Sequence, residues 1–169
     1  QSPKLQNSSL IEVIKLGTGT HFRFKGLAID TKNNHVYLGS WDKKEIVDVS
    51  LTNGTYGILK TKHSGKLNAM GCFLKNGNLY AVMNEVDDNP KANPVSVLLV
   101  FDTKSKKLLR SFEAKGVDGR NHFNHVVVDD NGVAYVSNTL KSSIYSVDTS
   151  DEKDTFKKLI EQKDLSWVD

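Results

Sequence analysis

Apolar residues in this chain fall in short runs separated by Asn, Asp and Gly, and the runs recur in one order three times. The first copy reads GLAID at 26–30, NNHVYLGS at 33–40 and EIVDVS at 45–50; the third reads VVVDD at 126–130, NGVAYVSN at 131–138 and SIYSVD at 143–148. A looser copy between them reads GCFLKNGNLYAVMN at 71–84 and LLVFD at 98–102. The tyrosines act as a ruler. Tyr37 to Ser50 is 50 − 37 = 13 residues and Tyr135 to Asp148 is 148 − 135 = 13, while Tyr80 to Asp102 is 102 − 80 = 22, so the middle copy carries about nine inserted residues. Each copy is followed by a further strand-like stretch, YGILKTK at 56–62, LLRSFEA at 108–114 and FKKLIEQ at 156–162, and LIEVIKLG at 10–17 precedes the first copy in the same relation.

Short strands repeating every ~40–55 residues are the signature of β-propeller blades. The pattern predicts an all-β propeller fragment of three four-stranded blades, at 24–62, 67–114 and 123–162, with residues 10–17 as an outer closing strand and 166–169 as the start of a fourth blade. Asn33-Asn34, Asn76-Gly77 and Asn131-Gly132 occupy the same place in the three copies, as hairpin turns that need positive φ would require. Residues 151–162 also carry a helix-like charge order, acidic first and lysine later; the repeat register predicts a strand there. Rings of this kind close with four to eight blades, and an open arc leaves strand edges and apolar faces in water. Three blades therefore point to half of a six-bladed parent, or to a ring completed by another copy.

Composition narrows the classes without naming one. A quarter of the 169 residues are charged and 38% are apolar, an ordinary globular balance. No apolar stretch approaches the roughly 20 residues of a membrane helix, so no membrane partner is expected. The net charge of +3 comes from dispersed lysines, with arginine only at positions 23, 110 and 120; nucleic-acid binding would want basic residues clustered with stacking aromatics. The single cysteine, Cys72, lies in the apolar run GCFL and reads as a buried core residue. Gln1-Ser2-Pro3 is what the mature start of a periplasmic or secreted protein would show, and an internal boundary would look the same. Asn7-Ser8-Ser9 and Asn53-Gly54-Thr55 fit the glycosylation acceptor pattern.

Candidate chemistry sits where the innermost strands begin, because in a propeller those ends converge on the axis. Register puts Lys25, Met70 and Asn124 at equivalent points, followed by Gly26, Gly71 and His125, with Asp169 at the same point of a fourth blade and Asn68 two residues before Met70. His122 and His125 flank Asn124, and a neutral imidazole there could serve as a base near neutral pH. Glu85, Asp87 and Asp88 in the inserted loop offer oxygen ligands. Trp41-Asp42 is a single Trp-Asp dipeptide, and His21, His35 and His63 read as loop or surface residues.

FNHVVVDDNGVAYVSN resembles the repeated unit of the regucalcin/gluconolactonase and paraoxonase-like calcium propellers, in which an asparagine precedes an apolar strand, an Asp-Gly turn and a tyrosine strand. LYAVMNEVDDNPKANPVSVLLVFD is similar to the corresponding blade with its inserted loop. The resemblance spans most of residues 24–169. It implies six blades, a central calcium and hydrolysis of a lactone or ester. Carried over by position, it implies Asn124 and Asp169 as metal ligands; beside them, the residues themselves make His125 the candidate base and Asn68, Lys25 and His122 candidate pocket residues. Calcium suits such a site, since it takes six to eight oxygen ligands, polarises a carbonyl and leaves a nearby base to activate water. Two positions depart from the family: Lys25 stands where an acidic ligand is expected, and Ala69 and Met70 stand near a family histidine. The other class in play is a non-catalytic propeller that binds a protein, glycan or small ligand on its loop face.

Overall fold

The computed structural model describes residues 22–86, 94–114, 117 and 119–161. The stretches 10–17 and 166–169, and with them His21, Asp87, Asp88 and Asp169, lie outside the described residues. Among the described residues, twelve strands form three antiparallel sheets of four, each in sequential order. The first sheet holds β1 (Phe24–Asp30), β2 (His35–Ser40), β3 (Glu45–Ser50) and β4 (Tyr56–Leu59). The second holds β5 (Asn68–Lys75), β6 (Asn78–Asn84), β7 (Ser96–Asp102) and β8 (Leu108–Glu113). The third holds β9 (Phe123–Val128), β10 (Val133–Asn138), β11 (Ser143–Asp148) and β12 (Lys157–Glu161). The described residues are thus all-β, apart from a single 3₁₀ turn at Thr139–Lys141. The helix-like charge order near the C-terminal end is overridden: β12 pairs with β11 through Ile144 and Ile160.

The sheets stack face to face. Tyr37, Ile46 and Leu59 of the first sheet pack with Leu79, Ala81, Met83, Leu99 and Phe101 of the second. Tyr80, Val82, Leu98 and Val100, from the other face of that second sheet, pack with Val126, Ala134, Val136 and Tyr145 of the third. A strand buried on both faces cannot alternate apolar with polar, which is why β7 reads SVLLVFD. The innermost strands run side by side, and glycine lets them touch. A Cβ on Gly26 would drive into the Met70 carbonyl oxygen, and one on Gly71 would stand 2.6 Å from the Asn124 carbonyl oxygen and 2.8 Å from His125 Cα.

Polar ties reinforce the stacking. Lys106, from the β7–β8 turn, reaches back to Asp48 at 2.9 Å and donates to the Tyr37 hydroxyl at 2.9 Å; Asp48 also meets His35 Nδ1 at 2.6 Å. Lys75 bridges forward to the Val128 carbonyl and Asp130.

The three β1–β2-type turns share a position but not a conformation. At Asn76-Gly77 both residues have positive φ, 50° and 78°, as a two-residue hairpin requires. In the other two, only Asn34 (61°) and Gly132 (85°) do; there Asp30, which ends β1, and Asp129, just past β9, close wider turns by accepting the backbone N–H groups of Asn33 and of Asn131 and Val133.

Candidate functional site at the axial end of the inner strands

Each innermost strand carries a β-bulge at the same place. The register with the second strand slips between Phe24 and Gly26 in β1, between Ala69 and Cys72 in β5, and opposite Val136–Asn138 in β9. The extra residues are Lys25, Met70-Gly71 and Asn124-His125, the positions that register singles out from sequence. A bulge inserts one residue and re-aims its side chain. It also breaks the alternation expected for β9: Asn124 and His125 are both exposed, rather than lying on opposite faces.

The three bulges then diverge. Lys25 is exposed. Met70 turns inward and is buried in the packing between the second and third sheets. Asn124 is exposed, and no described residue hydrogen-bonds its side chain. Calcium needs a cage of oxygens, and these positions supply a cation, a thioether and one amide, so the described bulge residues do not fit that ion. Among the described residues no three His, Cys, Asp or Glu side chains stand together. Glu85 closes its own loop, its Oε2 accepting the Val95 backbone N–H at 3.2 Å.

One residue before the bulge region, a second set of side chains does converge. Trp41, in the β2–β3 turn, is fixed by its N–H to the Arg23 carbonyl at 2.9 Å, and Arg23 holds Asp42 through its Nε at 2.8 Å, keeping that carboxyl below the usual carboxylate range. The indole packs beside the core of the second and third sheets. His122, just before β9, lies beside it with ring centroids 5.9 Å apart. The His122 backbone is pinned on both sides, its N–H donating to Asn138 Oδ1 at 3.1 Å and its carbonyl accepting from Thr139 at 3.1 Å. Burial lowers the His122 pKa, and Lys25 pushes it the same way, so both favour the neutral ring. Asn68 sits below: its Nδ2 donates to the Trp41 carbonyl at 2.9 Å, while its Oδ1 is buried without a donor.

Of the residues singled out from sequence, Asn68 and His122 thus both meet Trp41, while Lys25 lies within electrostatic reach of His122. His125 lies apart, over Gly71, with its backbone N–H on Ser137 Oγ at 3.1 Å. Trp41 carried only a dipeptide signal. A second set that sequence reasoning passed over is Asn84, Asn121 and Asn138. Asn84 binds the Phe123 backbone on both sides, donating to its carbonyl at 2.7 Å and accepting its N–H at 2.8 Å; Asn138 donates to Asn121 Oδ1 at 2.7 Å. The available signal was an asparagine ending the tyrosine strands YAVMN and YVSN. His63, expected as a loop or surface residue, lies in the crossing from β4 to β5 but is buried there with Nε2 unpartnered; burial lowers its pKa, with Lys62 adding to the effect.

No protein-family model matches the chain, and no curated protein matches it in sequence. Among solved structures, the chain is similar to a protein of unknown function from Bacteroides caccae, with a TM-score of 0.59 and 13% identity over 87% of this chain and 48% of that one. It is also similar to the extracellular domain of a protein described as a one-component system from B. thetaiotaomicron, with a TM-score of 0.59 and 15% identity over 90% of this chain and 18% of that one. Glutaminyl cyclase from Myxococcus xanthus aligns at a TM-score of 0.45 and 17% identity, over 78% of this chain and 50% of that one. The chain therefore spans about half the length of the first of these and under a fifth of the second. At such identities the likeness shows the fold alone, an all-β, propeller-like stack of four-stranded antiparallel sheets.

Proposed function

We propose that this chain contributes half of a six-bladed binding propeller whose ligand sits at the axial end, over Trp41, His122, Lys25 and Asn68. Three sheets aligned to 48% of the B. caccae chain is the proportion that half of such a ring would take. The observation that carries the reading is the divergence of the bulges: Lys25 brings a cation to the axis and Met70 is turned into the core, which suits recognition of a polar or anionic ligand better than capture of a metal. The alternative, a calcium-dependent lactonase or esterase with Asn124 and Asp169 as ligands and His125 as base, draws on the exposed, unpartnered amide of Asn124.

Calorimetric titration of the full-length protein with calcium, beside the Asn124→Ala variant, separates the two. The binding reading expects no saturable calcium uptake that depends on Asn124. Tight uptake lost in the variant would overturn it and put a metal on the axis.

A further inference from the structure

Asn-Gly pairs stand at 53–54, 76–77 and 131–132, and all three asparagines are exposed. A glycine after asparagine puts no side chain between the backbone nitrogen and the asparagine's own carboxamide carbon, so the two can react with each other. The three pairs differ in how that nitrogen is held. Gly54 donates its N–H to the Ser50 carbonyl at 2.9 Å. Thr55 also holds Asn53 Oδ1, through its N–H at 3.1 Å and its hydroxyl at 2.8 Å. Those donors polarise the carboxamide carbon, but the nitrogen that would attack it is committed. Gly132 donates to the Asp129 carbonyl at 3.3 Å, and Asp129 Oδ1 takes the N–H groups of Asn131 and Val133, each at 2.9 Å. The hairpin between β5 and β6 has neither kind of restraint: among the described residues nothing bonds the Gly77 N–H or the Asn76 side chain. Beyond the strand pair of Lys75 and Asn78, its tie is the Gly77 carbonyl, which accepts the Thr103 N–H at 2.9 Å and hydroxyl at 2.8 Å; Gly132 shares that tie through Thr149.

We infer that Asn76 is a self-modification site, converting in the folded protein to aspartate and isoaspartate ahead of Asn53 and Asn131. The Gly77 nitrogen, its proton lost to hydroxide, attacks Asn76 Cγ; the new C–N bond closes a succinimide, and the Cγ–Nδ2 bond breaks to release ammonia. Water then opens the ring at either carbonyl. Attack at Cγ gives aspartate, and attack at the main-chain carbonyl gives isoaspartate, whose backbone is one methylene longer. A longer backbone no longer fits a turn of two residues between Lys75 and Asn78, and it moves the Gly77 carbonyl off Thr103. Closing the ring turns Asn76 out of its left-handed conformation, φ 50°, so the denatured chain sets the upper limit of the rate. This inference is independent of what the axial end binds.

The test incubates the full-length protein in mildly alkaline buffer made with heavy-oxygen water, folded in one arm and denatured in guanidinium in the other. Peptide mapping by mass spectrometry follows each asparagine through the label taken up from water, and enzymatic methylation of isoaspartate confirms the product. In the denatured arm the three sites, each followed by glycine, should react at similar rates. In the folded arm Asn76 should react at least about fivefold faster than Asn53 or Asn131, the scale of one backbone hydrogen bond. Asp129→Ala, which frees the turn around Asn131, should raise the Asn131 rate several-fold and leave Asn76 unchanged. Asn76→Gly, which keeps a residue at ease with positive φ, should abolish the isoaspartate found between residues 75 and 78. Equal rates at the three sites of the folded protein, a faster Asn53 or Asn131, or an Asn76 that reacts only once denatured overturns the inference. An Asn131 rate unmoved by Asp129→Ala removes its hydrogen-bond basis and overturns it as well.

Discussion

The second and third sheets have the same four-strand plan, yet they live in different surroundings. In the second, β6 and β7 are buried at all but one end position each, because one face meets the first sheet and the other meets the third. In the third, β10 alternates buried with half-buried positions, and every residue of β12 is exposed. The difference is written in composition: β7 offers Val97 to Phe101 without a break, while β10 and β11 place Ser137 and Ser146 at alternate positions. A blade's second face is made into core only by the blade beside it. On the third sheet Val127, Ile144, Leu159 and Ile160 stay exposed.

The sharpest way to break the comparison is to force the two sheets apart at the axis. Gly71→Val would push a branched side chain against the Asn124 carbonyl and His125 Cα, where even a Cβ lies at 2.6 and 2.8 Å. We expect a loss of about 4 kcal/mol or more, or failure to fold, read from urea unfolding. Gly57→Ala, whose added Cβ meets nothing within 4 Å, should stay within about 1 kcal/mol of the parent.

A smaller effect grades the two environments directly. Val82 in β6 is fully buried while Val127 in β9 is 44% exposed. Val82→Ala should cost about 2 kcal/mol and Val127→Ala less than about 1 kcal/mol. If further blades cover the third sheet in the full-length protein, the Val127 cost should rise toward that of Val82 there. An unchanged gap would sink that idea.

The smallest effect comes from protons. His63 and His122 both have pKa values lowered by burial, aided by Lys62 and Lys25 respectively. Above about pH 6.5 both folded and unfolded chains hold these rings neutral. As pH falls below that, the unfolded chain takes up protons that the folded chain resists, so stability declines toward the lowered folded values. Unfolding midpoints compared at pH 7.5 and pH 5.5 should show the decline, and His63→Gln with His122→Gln should flatten it.

The candidate site was legible in position more than in content. Register alone picked out Lys25, Met70 and Asn124, and each falls at a bulge. It could not say that Met70 turns inward, because a bulge frees its residue from the alternation that otherwise assigns faces. Nor could it promote Trp41, which reaches His122 only because a turn of the first sheet lies over the second and meets the start of the third.

What the sequence determined by itself was the repeat. The spacing of Tyr37, Tyr80 and Tyr135, the Asn-rich turns and the period-two strands fix three four-stranded sheets, because strand periodicity and turn chemistry are local properties. Tertiary structure decided which polar groups become partners: Asn68 with the Trp41 carbonyl, Asn84 with Phe123, and Lys106 with Asp48. Those pairs join residues that are far apart in the chain, and only the stacking of one sheet on the next brings them within hydrogen-bond distance.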